Sequence, residues 1–138
     1  MPTQKVIDIL HGKICPYCGK DSKYVDSKIV YGESYGMIYR CDDCDAHVGV
    51  HKRTDKALGR LANEELRRYK SKVHELFDPL WRSGKINDIW PKYIPDTSNR
   101  NKAYKWLARQ LEIKEEFCHI GMFSKRYCKR AINILKNL

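Results

Sequence analysis

No apolar stretch in this 138-residue sequence approaches the ~20 residues that a membrane-spanning helix requires. The opening residues, MPTQKVIDILHGK, lack a basic head followed by a long apolar segment. The expectation is a chain without a secretory signal, kept in a reducing cytoplasm. Acidic residues are few: 17 Asp and Glu stand against 27 Lys and Arg, a formal charge of +10. That excess excludes an acidic mimic of nucleic acid and points toward anionic partners. The aromatic poverty of a disordered chain is also missing, since 11% of the residues are Phe, Trp or Tyr. No P-loop, Asp-His pair or nucleophile motif is present.

The positive charge is unevenly placed. Residues 1–50 hold six Lys and Arg against seven Asp and Glu, a net of −1. Residues 51–138 hold 21 against 10, a net of +11. A near-neutral front is therefore joined to a cationic back.

The front contains two CxxC pairs, Cys15-Pro-Tyr-Cys18 and Cys41-Asp-Asp-Cys44. Each turn can place two sulfurs on one ion, and two turns complete a tetrahedral four-thiolate zinc site. Four cysteines fill the coordination sphere and leave no open position for a reacting water. Gly19 follows the first pair, where a tight knuckle calls for positive φ. The 22 residues between Cys18 and Cys41 suit two strands and a turn. Residues 24–31 place Val25, Ile29 and Tyr31 on one strand face. Residues 32–36, GESYG, read as the turn, 37–40 as the return strand and 46–51 as a third strand.

On that third strand His47 and His51 are about 13 Å apart, too far to share one zinc. With Lys52 and Arg53 they are instead candidates for contact with a phosphate or a base edge. Behind the ribbon, Asn63 is placed to cap a helix carrying Leu66, Tyr69, Val73, Leu76, Phe77 and Leu80 on one stripe. Pro79 can end or restart that helix. Residues 86–99 read as a loop with Ile89, Trp90 and Ile94 tucked inward. Ser98 or Asn99 begins a second helix and Ser124 a third. Opposite their apolar stripes stand Lys102, Lys105 and Arg109, with Trp106 at the flank, and Arg126, Lys129 and Arg130. These residues are the candidate nucleic-acid contacts of the helical part, the indole serving to stack on a base. Cys118 and Cys128 lie among apolar neighbours and read as core thiols rather than, with His119 and His74, a second metal site.

The strings CPYCGK, YGESYGMIYRCDDCDAHVGVHK, LGRLANEELR, HELFDPLW, AYKWLARQL and CHIGMF resemble a zinc-finger family of bacteria and their phages, a domain of unknown function. The resemblance covers residues 13–132. It implies zinc at Cys15, Cys18, Cys41 and Cys44 and a prokaryotic or phage source, hence the cytoplasm of a bacterial host cell. It supplies no catalytic residues. Ala57 stands where the family has Pro before the Leu-Gly pair, which bears on the turn entering the first helix.

The expected fold is α+β: a four-cysteine ribbon of three antiparallel strands in residues 1–55, followed by about three helices in the basic part, 56–138, packed on it as one compact domain. The expected function is non-catalytic binding of DNA or RNA around one structural zinc ion, with no membrane. One alternative is a phage factor that binds a host enzyme through Tyr17, Tyr35, Trp90 or Trp106. Another is a metal-dependent nuclease using His51, Asn63 and His74. Asn63 and His74, however, are about 16 Å apart along one helix and cannot share a metal.

Overall fold

The structure is a computed structural model that describes residues 3–138. Residues 1 and 2, which open the expected ribbon part, lie outside the described residues. The chain divides into two compact units, Met1–Arg67 and Arg68–Leu138.

The first unit opens with a helix, α1 (Gln4–Leu10), whose cap Thr3 accepts a hydrogen bond from the Val6 N–H. The three expected strands follow as β1 (Lys23–Asp26), β2 (Met37–Cys41) and β3 (Ala46–Gly49), antiparallel in that order. Ile38 lies opposite Gly49, Arg40 opposite His47, and Cys41 opposite Ala46. Strand alternation then divides the sheet. One face carries Tyr39, Cys41, Ala46 and Val48, which pack with Cys15, Cys44 and Leu61. The other face carries Val25, Ile38, Arg40, His47 and Gly49.

The strand expected over 24–31 stops at Asp26. Residues 28–31 form a short helix, α2 (Lys28–Tyr31). Local polar bonds outweigh the apolar alternation here. An Asp26 carboxylate oxygen accepts from the Lys28 N–H at 2.8 Å, and the buried Ser27 hydroxyl accepts from the Tyr35 N–H at 2.7 Å. Gly32, at φ +78°, ends the turn.

The first unit also takes in residues 56–67, which sequence pattern placed with the helices. They run back along β3 through bridges from Val50 to Ala57 and from His47 to Ala62. That return path explains Gly12: a Cβ there would stand 2.7 Å from the Ala57 Cβ, and its φ is +74°.

The second unit holds the rest of α3 (Glu64–Arg82), then α4 (Ile86–Ile89), α5 (Asn99–Leu111), two 3-10 turns at Glu115–Phe117 and Ile120–Met122, and α6 (Lys125–Lys136). All three expected caps are in place. Asn63 accepts from the Leu66 N–H, Ser98 from the Asn101 N–H and Ser124 from the Tyr127 N–H. Pro79 does not end α3, which continues to Arg82. The expected loop 86–99 begins instead as α4, whose Ile86 is fully buried.

The core of this unit is Val73, Phe77, Leu80, Ile86, Leu107, Leu111, Ile120 and Phe123, with the Phe77 and Tyr104 rings 4.6 Å apart. Each such aliphatic or aromatic side chain contributes about 1.5–3 kcal/mol by leaving water. Among the described residues no helix is long and apolar enough to cross a membrane.

Candidate metal centre

The first knuckle projects between Ile14 and Asp21, which are bridged to each other. The Cys15 N–H donates to the Lys20 carbonyl, and the Gly19 N–H, at φ +79°, donates to that of Cys15. The Tyr17 N–H donates to the Cys15 sulfur at 3.4 Å, the knuckle bond that supports a thiolate. The second knuckle is the turn from β2 to β3. Its Asp42 and Asp43 pair with Lys23 and Lys20. Folding thus brings two sulfur pairs, distant in sequence, to one place.

Four sulfurs, those of Cys15, Cys18, Cys41 and Cys44, lie within 4.8 Å of one another. The Cys18 and Cys41 sulfurs are 3.6 Å apart. A tetrahedral zinc–thiolate centre with bonds of about 2.3 Å has sulfur–sulfur edges of about 3.8 Å, so the cluster fits zinc. No other grouping of His, Cys, Asp or Glu suited to a metal occurs among the described residues.

Electrostatics makes the same point. Burial pushes the Cys15 thiol above its ordinary value, and burial with bonds to Cys18, Cys15 and Cys41 pushes Cys44 up to about 12. Cys18 alone is pulled down, chiefly by the backbone N–H of Lys20. Four neighbouring thiolates would repel one another, so the thiols hold their protons until a cation displaces them. A bound zinc ion supplies that charge and cross-links both knuckles. With four protein ligands it does so structurally.

Cys118 and Cys128, by contrast, are fully buried and lie outside that cluster, and burial pushes Cys118 up to about 12. Of the nuclease trio, Asn63 is used as a helix cap and His74 faces Asp78 at 3.2 Å.

Three of the expected nucleic-acid contacts are interior residues. Trp106 is 6% exposed, so the indole is core and not a stacking platform. Lys102, also 6% exposed, donates from its ammonium to Asn87 Oδ1 at 2.8 Å. Both follow from α5 being buried over most of its circumference.

His47 is the third. Arg67 Nη1 stands 3.2 Å from its Nδ1, and the Tyr31 hydroxyl 3.0 Å from its Nε2. A guanidinium can only donate, so Nδ1 is the bare nitrogen and Nε2 carries the hydrogen that Tyr31 accepts. Burial first, then Arg67 and Arg40, hold this imidazole below its ordinary pKa, with Asp45 opposing.

Neutral His47 therefore stabilises the fold at pH 7. The unfolded chain takes up the proton first on acidification, so this stability is lost as pH falls below about 6.5 toward the folded value. The melting-temperature gap between wild type and His47→Gln should narrow over that interval, and a gap constant with pH would refute the assignment.

Two further candidates are engaged at the surface. Lys105 pairs with Glu115 at 2.8 Å, and Arg130 donates to the Leu111 carbonyl that ends α5. Arg109 is exposed and lies over the Trp90 ring. Arg126 and Lys129 are exposed on α6, and His51, Lys52 and Arg53 are exposed after β3.

Sequence pattern missed a groove of about 450 Å³ whose lining includes Tyr24, Tyr31, Tyr35, Ile38, Gly49 and residues 51–54. Its signal was the density of tyrosines between 24 and 39.

Residues 11–138 match the model of one protein family, described as a zinc-finger-containing domain. No curated protein and no solved structure matches the chain.

Proposed function

The chain belongs to this zinc-finger-containing family, and from that premise we propose that it is a zinc-stabilised protein that binds nucleic acid without acting on it chemically. The observation that carries this reading is the sign of the charge on α6. The helix has five basic residues, Lys125, Arg126, Lys129, Arg130 and Lys136, and no acidic one. Lys125 and Arg126 occupy its first turn, where the helix dipole disfavours cations by about 0.3–1 kcal/mol each. Lys125 lies over the Tyr69 ring, 5.7 Å from its centroid, which accounts for it within the fold, whereas the placement of Arg126 suits a phosphate partner. Arg126 makes no hydrogen bond or ion pair among the described residues. Residues 68–138 as a whole hold 16 Lys and Arg against 7 Asp and Glu.

The test is affinity as a function of salt for one single strand and one duplex. Arg126→Glu with Lys129→Glu should weaken both alike and flatten the slope of log affinity against log salt by about 0.7–0.9 for each lost phosphate contact. Absence of binding at about 150 mM salt, where exposed charges are screened beyond about 8 Å, would defeat the reading. The exposed tyrosines would then stand as a protein contact surface.

A further inference from the structure

None of the four clustered cysteines lines the tyrosine-walled groove, so the metal site does not account for it. Its volume, about 450 Å³, falls in the range of about 300–1,000 Å³ typical of small-molecule sites. Ile38 and Gly49, paired across β2 and β3, belong to its lining. On one side are Tyr31 and Tyr35, 55% and 73% exposed. Their rings meet edge to face at 5.7 Å and 81°, and Tyr31 meets the His47 ring at 90°, so the more exposed Tyr35 ring is the one offered to a planar ligand.

The hydrogen-bond chain described above determines what Tyr31 offers. Arg67 donates to His47, and His47 donates to the Tyr31 oxygen. The hydroxyl proton of Tyr31 is therefore uncommitted and available to a carbonyl or ring nitrogen. The lining also includes Lys52 and Arg53, exposed and without hydrogen bond or ion pair among the described residues. Arg53 sits at φ +61° in a turn closed by bonds from Thr54 to the His51 carbonyl. Glu33, which accepts from the Tyr35 hydroxyl, sets an opposite charge at the tyrosine wall. An anionic group is thus directed toward Lys52 and Arg53, and a flat neutral group toward the rings.

We propose that this groove takes one unpaired nucleotide of a single-stranded nucleic acid, its base against Tyr31 and Tyr35 and its phosphate on Lys52 and Arg53. The proposal rests on the nucleic-acid reading above and adds to it a site and a strand preference. A paired base has both faces covered by its neighbours, so only an unstacked base can use the exposed rings.

The experiment measures fluorescence anisotropy of three probes: a short oligo-deoxythymidine, an oligo-uridine of the same length and a blunt DNA duplex. Tyr35→Ala should weaken binding of at least one single strand by roughly 5- to 150-fold, the fold-change equivalent of losing one stacked base. Duplex binding should not change. Gly49→Leu adds a side chain at the groove lining, its Cβ meeting the Leu58 Cδ1 at 3.5 Å, an ordinary contact. It should reproduce the same selective loss. Zinc content and melting temperature confirm that each variant is folded.

Equal losses on single strand and duplex, or no loss in either variant, would overturn the groove while leaving the α6 charge reversals to report on the general reading. No binding of any probe would overturn both. An oligoglutamate that displaces the single strand from wild type but not from Tyr35→Ala would also overturn the proposal, assigning the groove to an acidic peptide.

Discussion

Chelating the metal, or replacing Cys41 with Ser, should unfold the first compact unit. Its buried apolar cluster is Cys15, Cys41, Ala46 and Leu61, with Tyr39, Cys44 and Val48 against it, so several members are the ligands themselves. A domain of about 60 residues buries only about 60% of its unfolded surface and has little stability in reserve. Structural zinc supplies on the order of 10–16 kcal/mol of apparent binding energy, as much as a typical domain's whole stability of about 5–15 kcal/mol.

Metal analysis should therefore give one zinc per chain. Hydrogen exchange after chelation should show protection lost across β1 to β3. Cys128→Ala, which removes a buried thiol remote in character from any ligand set, should return the same zinc content. Retained protection in metal-free protein would show that hydrophobic packing suffices and that the metal contributes little.

Trp106→Ala should cost about 3–5 kcal/mol of stability, the range for removing a large buried aromatic side chain. The indole lies on α5 among Ala103, Leu107 and Leu111, all nearly or fully buried. Removing it leaves a cavity that rigid neighbours only partly fill. Denaturant unfolding gives the energy directly. Nucleic-acid affinity measured on the folded protein should be unaffected, because an interior side chain cannot stack on a base. A stable variant with selectively weakened single-strand binding would place Trp106 at the surface and contradict the packing of α5. Sequence pattern reads Trp106 as a stacking platform, but packing makes it structural, whereas Tyr35 is an exposed ring.

The four zinc ligands were legible because CxxC spacing fixes local geometry: two sulfurs on one short turn reach one ion whatever surrounds them. The three strands and the caps Asn63, Ser98 and Ser124 were legible for the same reason, since cap and strand signals act within a few residues.

Burial of polar side chains was not. Lys102 is opposite an apolar stripe on α5, and periodicity reads that as a solvated face. Yet α5 is buried nearly all round, and only the arrival of Asn87 from α4 gives the ammonium an inside partner. His47 alternates outward on β3, but Arg67 and Tyr31 reach it from α3 and α2 and turn it into the middle of a hydrogen-bond chain. The break at Asp26 depends on Ser34 and Tyr35 returning to bond Asp26 and Ser27. Sequence alone determined what each segment does with its near neighbours. Tertiary structure decided which faces are covered, because covering a polar group is tolerable only where a distant residue replaces the water it loses.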